Sequence, residues 1–405
     1  MVNIAVLGYG TVGSGVVEVI RTNQESINKK AGEDINIKYV LDLRDFPGDP
    51  VEQILVHDYN IILNDPEVEV VVEVMGGIKP AYTFVKQALE AGKSVCTSNK
   101  ELVAKYGPQL LEIAREKNIN FLFEASVGGG IPIIRPLNSS LTADEIIEIS
   151  GILNGTTNYI LSKMADQGWE FEDALHKAQE LGFAERNPEA DIEGYDACRK
   201  IAILSSLAFG NHVDFEDIYT EGISKISAKD IAYANELDLS IKLLATSKRD
   251  GSNFYAMVTP VLINRNHPLY SVNGVFNAIL VKGNVIGDVM FYGSGAGKLP
   301  TASAVVADVV DAVKHKNKHI MSFWSSKKLE LTSAQQAKSM FFVRVQGTQS
   351  ELLEQIKASF GDVKVITLDS VHDEFAFITK RMTEKEYKET ATNFNQIISM
   401  IRVEE

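Results

Sequence analysis

Apolar residues in the first third of the chain fall into short, β-branched runs separated by amphipathic helical segments. The runs have the length of strands, and the segments between them repeat apolar residues at helical spacing. Strands that alternate with helices form a parallel sheet covered on both faces. The pattern predicts a doubly wound, Rossmann-type α/β domain over residues 1–130, with strands at 2–7, 35–41, 68–74, 94–97 and 119–124 and helices at 80–91 and 101–117.

After Pro132 the pattern becomes that of an α+β domain. Several further runs have strand character, and Gly283-Asn284 between two of them is a hairpin signal. We expect an antiparallel sheet in a substrate-binding, catalytic and dimerisation domain over residues 131–316. Its apolar helix 299–314 is expected to pack back on the first domain. The predicted strands are 146–153, 239–247, 254–262, 277–282 and 285–292.

Residues 317–339 are polar and predict a linker. The remaining segment, 340–405, has the order strand, helix, strand, strand, helix, strand. This βαββαβ order predicts a small autonomous ferredoxin-like domain.

The composition excludes some classes of binding partner and indicates a cellular compartment. The 405 residues carry a net charge of −14, which argues against nucleic acid or an anionic membrane as the main partner. Two cysteines, Cys96 and Cys198, are too few for a disulfide framework and fit a reducing cytoplasm. With neither a signal segment nor a membrane-spanning run in the sequence, we expect a soluble, unprocessed protein.

The first strand runs into Gly8, Gly10 and Gly13, and an apolar helix face follows. Glycines between a strand and a helix let backbone amides approach a pyrophosphate, so this turn predicts dinucleotide binding. The second strand ends at Asp42 and Arg44. An acid there suits the ribose hydroxyls of NAD and an arginine suits the 2′-phosphate of NADP, so the cofactor preference stays open.

The carboxyl ends of the other parallel strands carry residues 75–77, 97–100 and 124–132, which fall at the functional edge of such a sheet. A second glycine loop, 293–297, precedes the helix 299–314 and is either a hinge or a ligand loop. Between these loops, Thr156, Thr157 or Asn158 can cap a helix after Asn154-Gly155. The same free amides can hold a substrate carboxylate.

Residues 182–200 place several acids directly before an apolar helix. Asp196 and Lys200 are spaced i,i+4 and share one face of that helix. On an exposed helix such a pair is an ordinary salt bridge, but charges are seldom buried without a role. A buried lysine kept protonated by neighbouring acids can give a proton to the oxygen of a carbonyl that receives hydride.

These segments in this order resemble the homoserine dehydrogenase family over nearly the whole chain, and the C-terminal segment resembles an ACT regulatory domain. The resemblance implies interconversion of L-aspartate 4-semialdehyde and L-homoserine with NADP or NAD, of which we expect NADP to be preferred. The pathway leads to threonine, methionine and isoleucine. It also implies a homodimer or higher homo-oligomer, and threonine as a possible effector.

The resemblance also assigns residues. Lys200 is implied as the proton donor, and Lys100 lies between nicotinamide and substrate. The implied substrate residues are Glu185, Asp191, Asp196, Gly155 and Thr156. Those implied for the cofactor are Gly8, Gly10, Thr11, Val12, Gly13, Arg44, Met75, Gly76, Thr97, Ser98, Lys100, Gly295 and Gly297. A monovalent cation, sodium in the first instance, is implied at the main-chain oxygens of Glu124, Val127, Gly129 and Ile131.

Two other functions are compatible with parts of the sequence. An aldehyde dehydrogenase of the aspartate-semialdehyde type needs a thiolate nucleophile, and neither Cys96 nor Cys198 lies in a convincing nucleophile loop. A non-catalytic nucleotide or amino-acid sensor would bind NADPH without oxidising it.

Overall fold

The computed structural model describes residues 1–404 and begins with a six-stranded, wholly parallel sheet of order β3-β2-β1-β4-β5-β6. This is the doubly wound sheet that the alternation predicts. Ile4 and Val6 face one hydrophobic layer and Ala5 and Leu7 face the other, as the two-residue period of a strand requires. The elements are β1 (Val2–Leu7), α1 (Thr11–Thr22), α2 (Gln24–Ala31), β2 (Ile35–Leu41), β3 (Leu55–Val56), α3 (Tyr59–Leu63), β4 (Val68–Glu73), α4 (Ala81–Glu90), β5 (Ser94–Thr97), α5 (Lys100–Glu116) and β6 (Phe121–Leu122).

The last parallel strand is shorter than the predicted strand at 119–124. β6 contains two residues because Glu124–Ser126 turns into a 3₁₀ helix, in which Ser126 N donates to Phe123 O. The chain therefore leaves the sheet early and enters the loop that precedes the second domain.

The middle of the chain forms an antiparallel sheet backed by helices. β12 and β13 form a hairpin that closes at Gly283 and Gly287, where the hairpin was predicted. The elements are α6 (Ile134–Ser139), β7 (Ile146–Ile152), α7 (Gly155–Gln167), α8 (Phe171–Glu180), α9 (Glu189–Ile192), α10 (Tyr195–Phe209), β8 (Asn211–His212), β9 (Tyr219–Thr220), α11 (Ala228–Glu236), β10 (Leu239–Asp250), β11 (Asn253–Asn264), β12 (Phe276–Gly283), β13 (Gly287–Ser294) and α12 (Lys298–Lys314).

Helix α12 lies against α1 of the parallel-sheet domain. Val305 and Val309 join the same hydrophobic cluster as Val16 and Val17. The approach is close, since a Cβ on Gly15 would lie 2.8 Å from Lys298 O. The helix that follows the second glycine loop therefore ties this loop to the first one.

The C-terminal segment has the predicted strand and helix order, and its four main strands are arranged β19-β15-β17-β16. It is not a separate unit as predicted, because β19 pairs in parallel with β11 and makes one eleven-stranded sheet with the central domain. Edge strands present unpaired backbone groups, and joining them satisfies both edges. The elements are β14 (Ser325–Lys328), β15 (Lys338–Gln346), α13 (Gln349–Phe360), β16 (Lys364–Ile366), β17 (Glu374–Ile378), β18 (Met382–Thr383), α14 (Glu384–Ala391) and β19 (Ile397–Glu404).

Residues 317–339, which the polar composition assigns to a linker, run along the body of the protein. β14 pairs with β8, and Trp324 is buried against Gly107 and Phe123. The buried indole of Trp324 therefore anchors this segment to the parallel-sheet domain. In the part of the chain that the structure describes, no helix has both the length and the apolar composition needed to cross a bilayer.

Candidate active site

Lys200 lies on α10, which begins after Gly194 in a left-handed conformation (φ +83°). The helix packs between the central sheet and α5 with most of its residues buried, and Lys200 is 8% exposed. Its Nζ donates to Leu153 O and to Asp196 Oδ2, both at 2.8 Å. An ammonium has three N–H donors, so one is left over for a further partner.

The carboxylate of Asp196 is shared by two lysines. Oδ2 accepts from Lys200, and Oδ1 lies 2.5 Å from the Nζ of Lys100, the first residue of α5. Lys100 comes from the edge of the parallel sheet and Lys200 from the central domain. Asp196 thus joins the two domains at the place where the sequence places cofactor and substrate.

Asn154 extends this cluster and was absent from the predicted site. Its Nδ2 donates to Asp191 Oδ1 at 2.8 Å and to Asp196 Oδ2 at 2.9 Å, and its Oδ1 accepts from Thr157 N. Asn154 is therefore the N-cap of α7, instead of Thr156, Thr157 or Asn158 as predicted. Its position immediately before Gly155, at the end of a strand, is the sequence signal that indicates such a cap.

The two lysines differ in acidity. Burial lowers the pKa of Lys200, and the attraction of Asp196 does not fully offset this effect. Burial also acts on Lys100, but there the charge of Asp196 outweighs it and raises the pKa. Burial opposes ionisation of Asp196, yet the two ammonium groups hold the pKa of this carboxyl well below its usual range. Lys200 therefore loses its proton more readily than Lys100.

The remaining predicted substrate residues differ in exposure and in their contacts. Burial raises the pKa of Asp191, which the Asn154 hydrogen bond only partly offsets. The Thr156 hydroxyl donates to Phe183 O at 2.5 Å and so ties α7 to the acidic segment. Glu185 is exposed, and its carboxylate forms neither a hydrogen bond nor an ion pair with another residue of 1–404. A Cβ on Gly155 would lie 2.7 Å from Val275 O.

The first glycine turn is shaped for a phosphate. A Cβ on Gly13 would lie 1.9 Å from Gly8 O, whereas Gly10 has open space beside it. Thr11 and Val12 begin α1, whose N-cap Gly10 makes no side-chain cap, so the first amides of the helix are available to an anion. Gly8 and Gly10 border a cavity of about 520 Å³, which is also lined by Leu41, Asp42, Arg44, Tyr59, Met75 and Gly76.

At the end of β2 the two candidate cofactor discriminators bind each other. Arg44 donates through Nε to Asp42 Oδ1 at 2.9 Å and through Nη2 to Oδ2 at 3.0 Å. Asp42 Oδ2 also accepts from Tyr9 N at 2.8 Å. The Arg44 hydrogen bond is the main reason that the pKa of Asp42 lies well below its ordinary value.

Glu73, a fully buried acid in an apolar strand, organises the next two loops. It accepts from Met75 N and from the Thr97 hydroxyl, at 2.9 and 2.6 Å. Thr97 in turn accepts from Asn99 N, and Ser98 N donates to Glu73 O. The Thr97 side chain is thus occupied within the protein and positions the loop. An acid interrupting a valine-rich strand was the sequence signal for this role.

The second glycine loop lies against the loop that follows β6. A Cβ on Gly129 would lie 2.3 Å from Gly295 O, and Gly130 N donates to Ser294 O at 3.0 Å. Gly297, with φ +116°, precedes the first residue of α12. Together with the packing of α12 on α1, this contact brings both glycine loops close to the end of the parallel sheet.

The four predicted cation ligands lie in that post-β6 loop. Glu124, Val127, Gly129 and Ile131 are all buried. Across residues 1–404, no donor hydrogen-bonds the carbonyl oxygens of Val127, Gly129 or Ile131. The Glu124 carboxylate accepts from Ile133 N, Ile134 N and Arg135 N at 2.6, 2.8 and 2.7 Å, which leaves its main-chain oxygen as the relevant donor to a cation.

Both cysteines are buried and unpaired. Burial raises the pKa of the Cys96 and Cys198 thiols, and Cys198 Sγ contacts Phe215 O. A thiol held protonated in this way is a poor nucleophile. The cysteines therefore give no support to thiolate chemistry.

Comparison with known proteins gives a consistent result. Residues 8–124 match the family model described as homoserine dehydrogenase, NAD binding domain, and residues 132–310 match that described as homoserine dehydrogenase. A homoserine dehydrogenase of Synechocystis is 47% identical over 322 residues, covering 77% of this chain and 73% of the relative. That of Bacillus subtilis is 43% identical over 318 residues, covering 78% and 73%.

Comparison with solved structures indicates the same family. A homoserine dehydrogenase from Thiobacillus denitrificans superposes with a TM-score of 0.92 at 35% identity, covering 100% of this chain and 98% of that one. A hyperthermophilic archaeal homoserine dehydrogenase in complex with NADPH gives a TM-score of 0.66 at 28% identity, covering 77% and 97%. The chain belongs to the homoserine dehydrogenase family and is an NAD(P)-dependent oxidoreductase of that kind.

Proposed function

We propose that this enzyme reversibly reduces L-aspartate 4-semialdehyde to L-homoserine with Lys200 as the proton donor. The observation that carries this assignment is the buried Lys200 ammonium, which has two of its three N–H donors engaged by Leu153 O and Asp196. The third donor is available for a substrate oxygen. Such a donor neutralises the charge that develops on oxygen when hydride reaches the carbonyl carbon.

A bound nicotinamide ring would supply hydride in one direction and accept it in the other. In the reductive direction Lys200 gives its proton to the nascent alkoxide and becomes a neutral amine. In the oxidative direction the neutral amine removes the hydroxyl proton of homoserine. The lowered pKa of Lys200 makes the loss of its proton easier, whereas the charge of Asp196 raises the pKa of Lys100.

The substrate would be held at its two ends. Asp191 and Glu185 are proposed to bind the ammonium, with Asp196 supporting both lysines. The first amides of α7, at Gly155 and Thr156, are suited to the carboxylate because they lie at the positive end of a helix.

The cofactor is proposed to lie along the edge of the parallel sheet. Gly8, Gly10, Thr11, Val12 and Gly13 would take the pyrophosphate, and the fit rests on the space left by Gly10 beside the start of α1. Arg44, after β2, favours NADP over NAD because an arginine can bind the 2′-phosphate. The proposed contacts nearer the nicotinamide are Met75, Gly76, Thr97, Ser98, Lys100, Gly295 and Gly297.

A monovalent cation is proposed at the main-chain oxygens of Glu124, Val127, Gly129 and Ile131. Buried carbonyls are normally hydrogen-bonded, so three that lack a protein donor fit a hard cation such as sodium. Holding this loop also holds Gly295, whose carbonyl lies against Gly129.

Three further proposals concern regulation, assembly and location. The C-terminal unit is proposed as an ACT-like domain that responds to an amino acid such as threonine. The exposed face of the β12–β13 hairpin, with Phe276, Met290 and Tyr292, is proposed as part of a homodimer contact. Two free, buried cysteines fit a cytoplasmic enzyme.

Initial rates of homoserine oxidation with NAD and NADP in parallel test the proposal. We expect homoserine to be oxidised with either cofactor, and with NADP faster than with NAD. The products should be aspartate semialdehyde and the reduced cofactor. Binding of NADPH without oxidation by aspartate semialdehyde would instead indicate a sensor. Replacing both cysteines by serine should leave turnover largely intact.

A further inference from the structure

Asn277 on β12 is a buried polar side chain without a role in the site described so far. It is 2% exposed, and its Oδ1 has no hydrogen-bond partner in residues 1–404. A buried amide oxygen without a partner is uncommon in native proteins and calls for a ligand or a water. Neither its strand neighbours nor the adjacent loops supply a donor.

The position of this amide is specific. A Cβ on Gly295 would lie 1.9 Å from Asn277 Nδ2, and a Cβ on Gly155 would lie 3.5 Å from Asn277 Oδ1. The side chain therefore lies between the second glycine loop and the start of α7. Any side chain at position 295 would displace it.

Two further contacts connect this point with the loops proposed for the cofactor and with the anchor of the proposed proton donor. Gly295 O lies against Gly129, in the loop that leaves the parallel sheet. β12 pairs with β7, whose next residue, Leu153, supplies the carbonyl that accepts from Lys200. Asn277 is thus one strand away from the backbone that anchors the proton donor.

We propose that Asn277 hydrogen-bonds the carboxamide of the nicotinamide ring and so positions the ring. The proposal rests on the nicotinamide cofactor of the proposed function. A side-chain amide carries one acceptor and two donors, as the carboxamide does, so the two groups can pair through N–H and C=O together.

The substrate is the weaker candidate for this amide. Its ammonium is assigned to the carboxylates of Asp191 and Glu185, which attract it more strongly than a neutral oxygen does. Its carboxylate needs donors, and the unpartnered atom of Asn277 is an acceptor. The acceptor requires an N–H, which the carboxamide provides.

The test compares NADP⁺ with its 3-acetylpyridine analogue, in which a methyl group replaces the carboxamide NH₂. Calorimetric titration of the full-length enzyme measures both dissociation constants without turnover. The wild-type enzyme is expected to bind the analogue about tenfold more weakly, the effect of one lost hydrogen bond to a buried acceptor. In Asn277→Leu the ratio of the two dissociation constants, analogue to NADP⁺, is expected to fall to about one.

Ser247→Ala is the matched control, because Ser247 is also buried with an unpartnered oxygen but lies on β10 away from the glycine loops. Its ratio should equal that of the wild type. Asn277→Ser, with a smaller side chain, replaces Asn277→Leu if the latter does not fold.

Equal affinity of the wild type for both dinucleotides would overturn the proposal, as would a ratio that survives in folded Asn277 variants. A wild-type protein that binds neither dinucleotide would contradict the cofactor assignment itself. Normal NADP⁺ affinity and turnover with an unchanged ratio would contradict only the role of Asn277.

Discussion

The ammonium of Lys200 lies 2.8 Å from Asp196 Oδ2, one helical turn away on α10, while the other oxygen of that carboxylate lies 2.5 Å from Lys100. One buried carboxylate therefore sets the acidity of the two lysines and positions them relative to each other. The first two predictions follow from this sharing.

Lys200→Met should lower turnover in both directions by about 10² to 10⁴, the usual contribution of a general acid or base. The methionine keeps the apolar stem but has no proton to give. NADPH binding, measured by titration, should stay within about twofold of the wild type. Lys200→Arg should be almost as slow, because a guanidinium keeps its charge but does not release a proton near neutral pH. Full activity of Lys200→Arg would rule out proton donation by this residue.

Asp196→Asn should move the pH profile of homoserine oxidation to lower pH. Burial lowers the pKa of Lys200, and the Asp196 charge raises it again. Removing that charge leaves the lowering effect of burial, so the neutral base appears at lower pH. The profile of log kcat against pH measures the shift.

Glu185→Gln is the control for this pH shift, since Glu185 is exposed and does not contact the lysines. The KM of Glu185→Gln for homoserine should rise. The pH range over which log kcat increases, the rising limb of the profile, should stay that of the wild type. A limb that moves equally in both variants would show that the titrating group is not Lys200.

Arg44→Ala should shift cofactor preference towards NAD. The change removes the partner of the 2′-phosphate and also frees Asp42, whose charge then repels that phosphate and can accept from ribose hydroxyls. NADP⁺ affinity should fall about tenfold or more, as for a lost charge-assisted hydrogen bond. NAD⁺ affinity should change little or improve. Arg44→Lys, which keeps the charge, should fall between the two, and calorimetry with each dinucleotide gives the comparison.

Local sequence rules were sufficient for much of this fold. The alternation of strands and helices gives the parallel sheet, and the i,i+4 spacing places Asp196 and Lys200 on one face. The hairpin at Gly283 follows from turn chemistry. Each of these features depends on residues close together in the chain.

Features that depend on distant residues were not predictable in the same way. The pairing of β19 with β11 joins residues 261–263 to 402–404, and no local pattern specifies which edges meet. The bridge from Asn154 to Asp191 and Asp196 likewise spans about forty residues. Arg44 and Asp42 were seen as alternatives, but side-chain geometry makes them partners.

Arg402→Met should destabilise the whole chain, because Arg402 joins the C-terminal unit to the central domain. It donates to Glu221 Oε2 at 2.8 Å and binds Glu384, which is 2% exposed. Removing one partner of a buried ion pair costs about 3–5 kcal/mol, since the other charge stays buried alone. Urea unfolding measures the loss. Arg402→Met combined with Glu384→Gln should recover part of it, whereas additive losses would show that the pair is not coupled.

Lys242→Met should remove an increase in the free energy of unfolding that the wild type shows at alkaline pH. Lys242 is 2% exposed, and its Nζ donates to Val272 O and Asn273 Oδ1, so burial without an acid partner lowers its pKa to about 8. Below pH 8 the lysine is charged in both states and the cost of burial is fully present. Between pH 8 and about 10.4, the ordinary lysine value, the unfolded chain binds more protons, so stability rises with pH.

That rise amounts to about 3 kcal/mol for a pKa difference of this size. Urea unfolding of the wild type and Lys242→Met at pH 7, 8, 9 and 10 measures it. The difference between the two free energies of unfolding should change steadily in favour of the wild type as pH increases. Lys248→Met is the control, because Lys248 is an exposed lysine on the same strand and should leave the slope unchanged. Parallel curves for wild type and Lys242→Met would mean that Lys242 is already neutral at pH 7 or is not desolvated in solution.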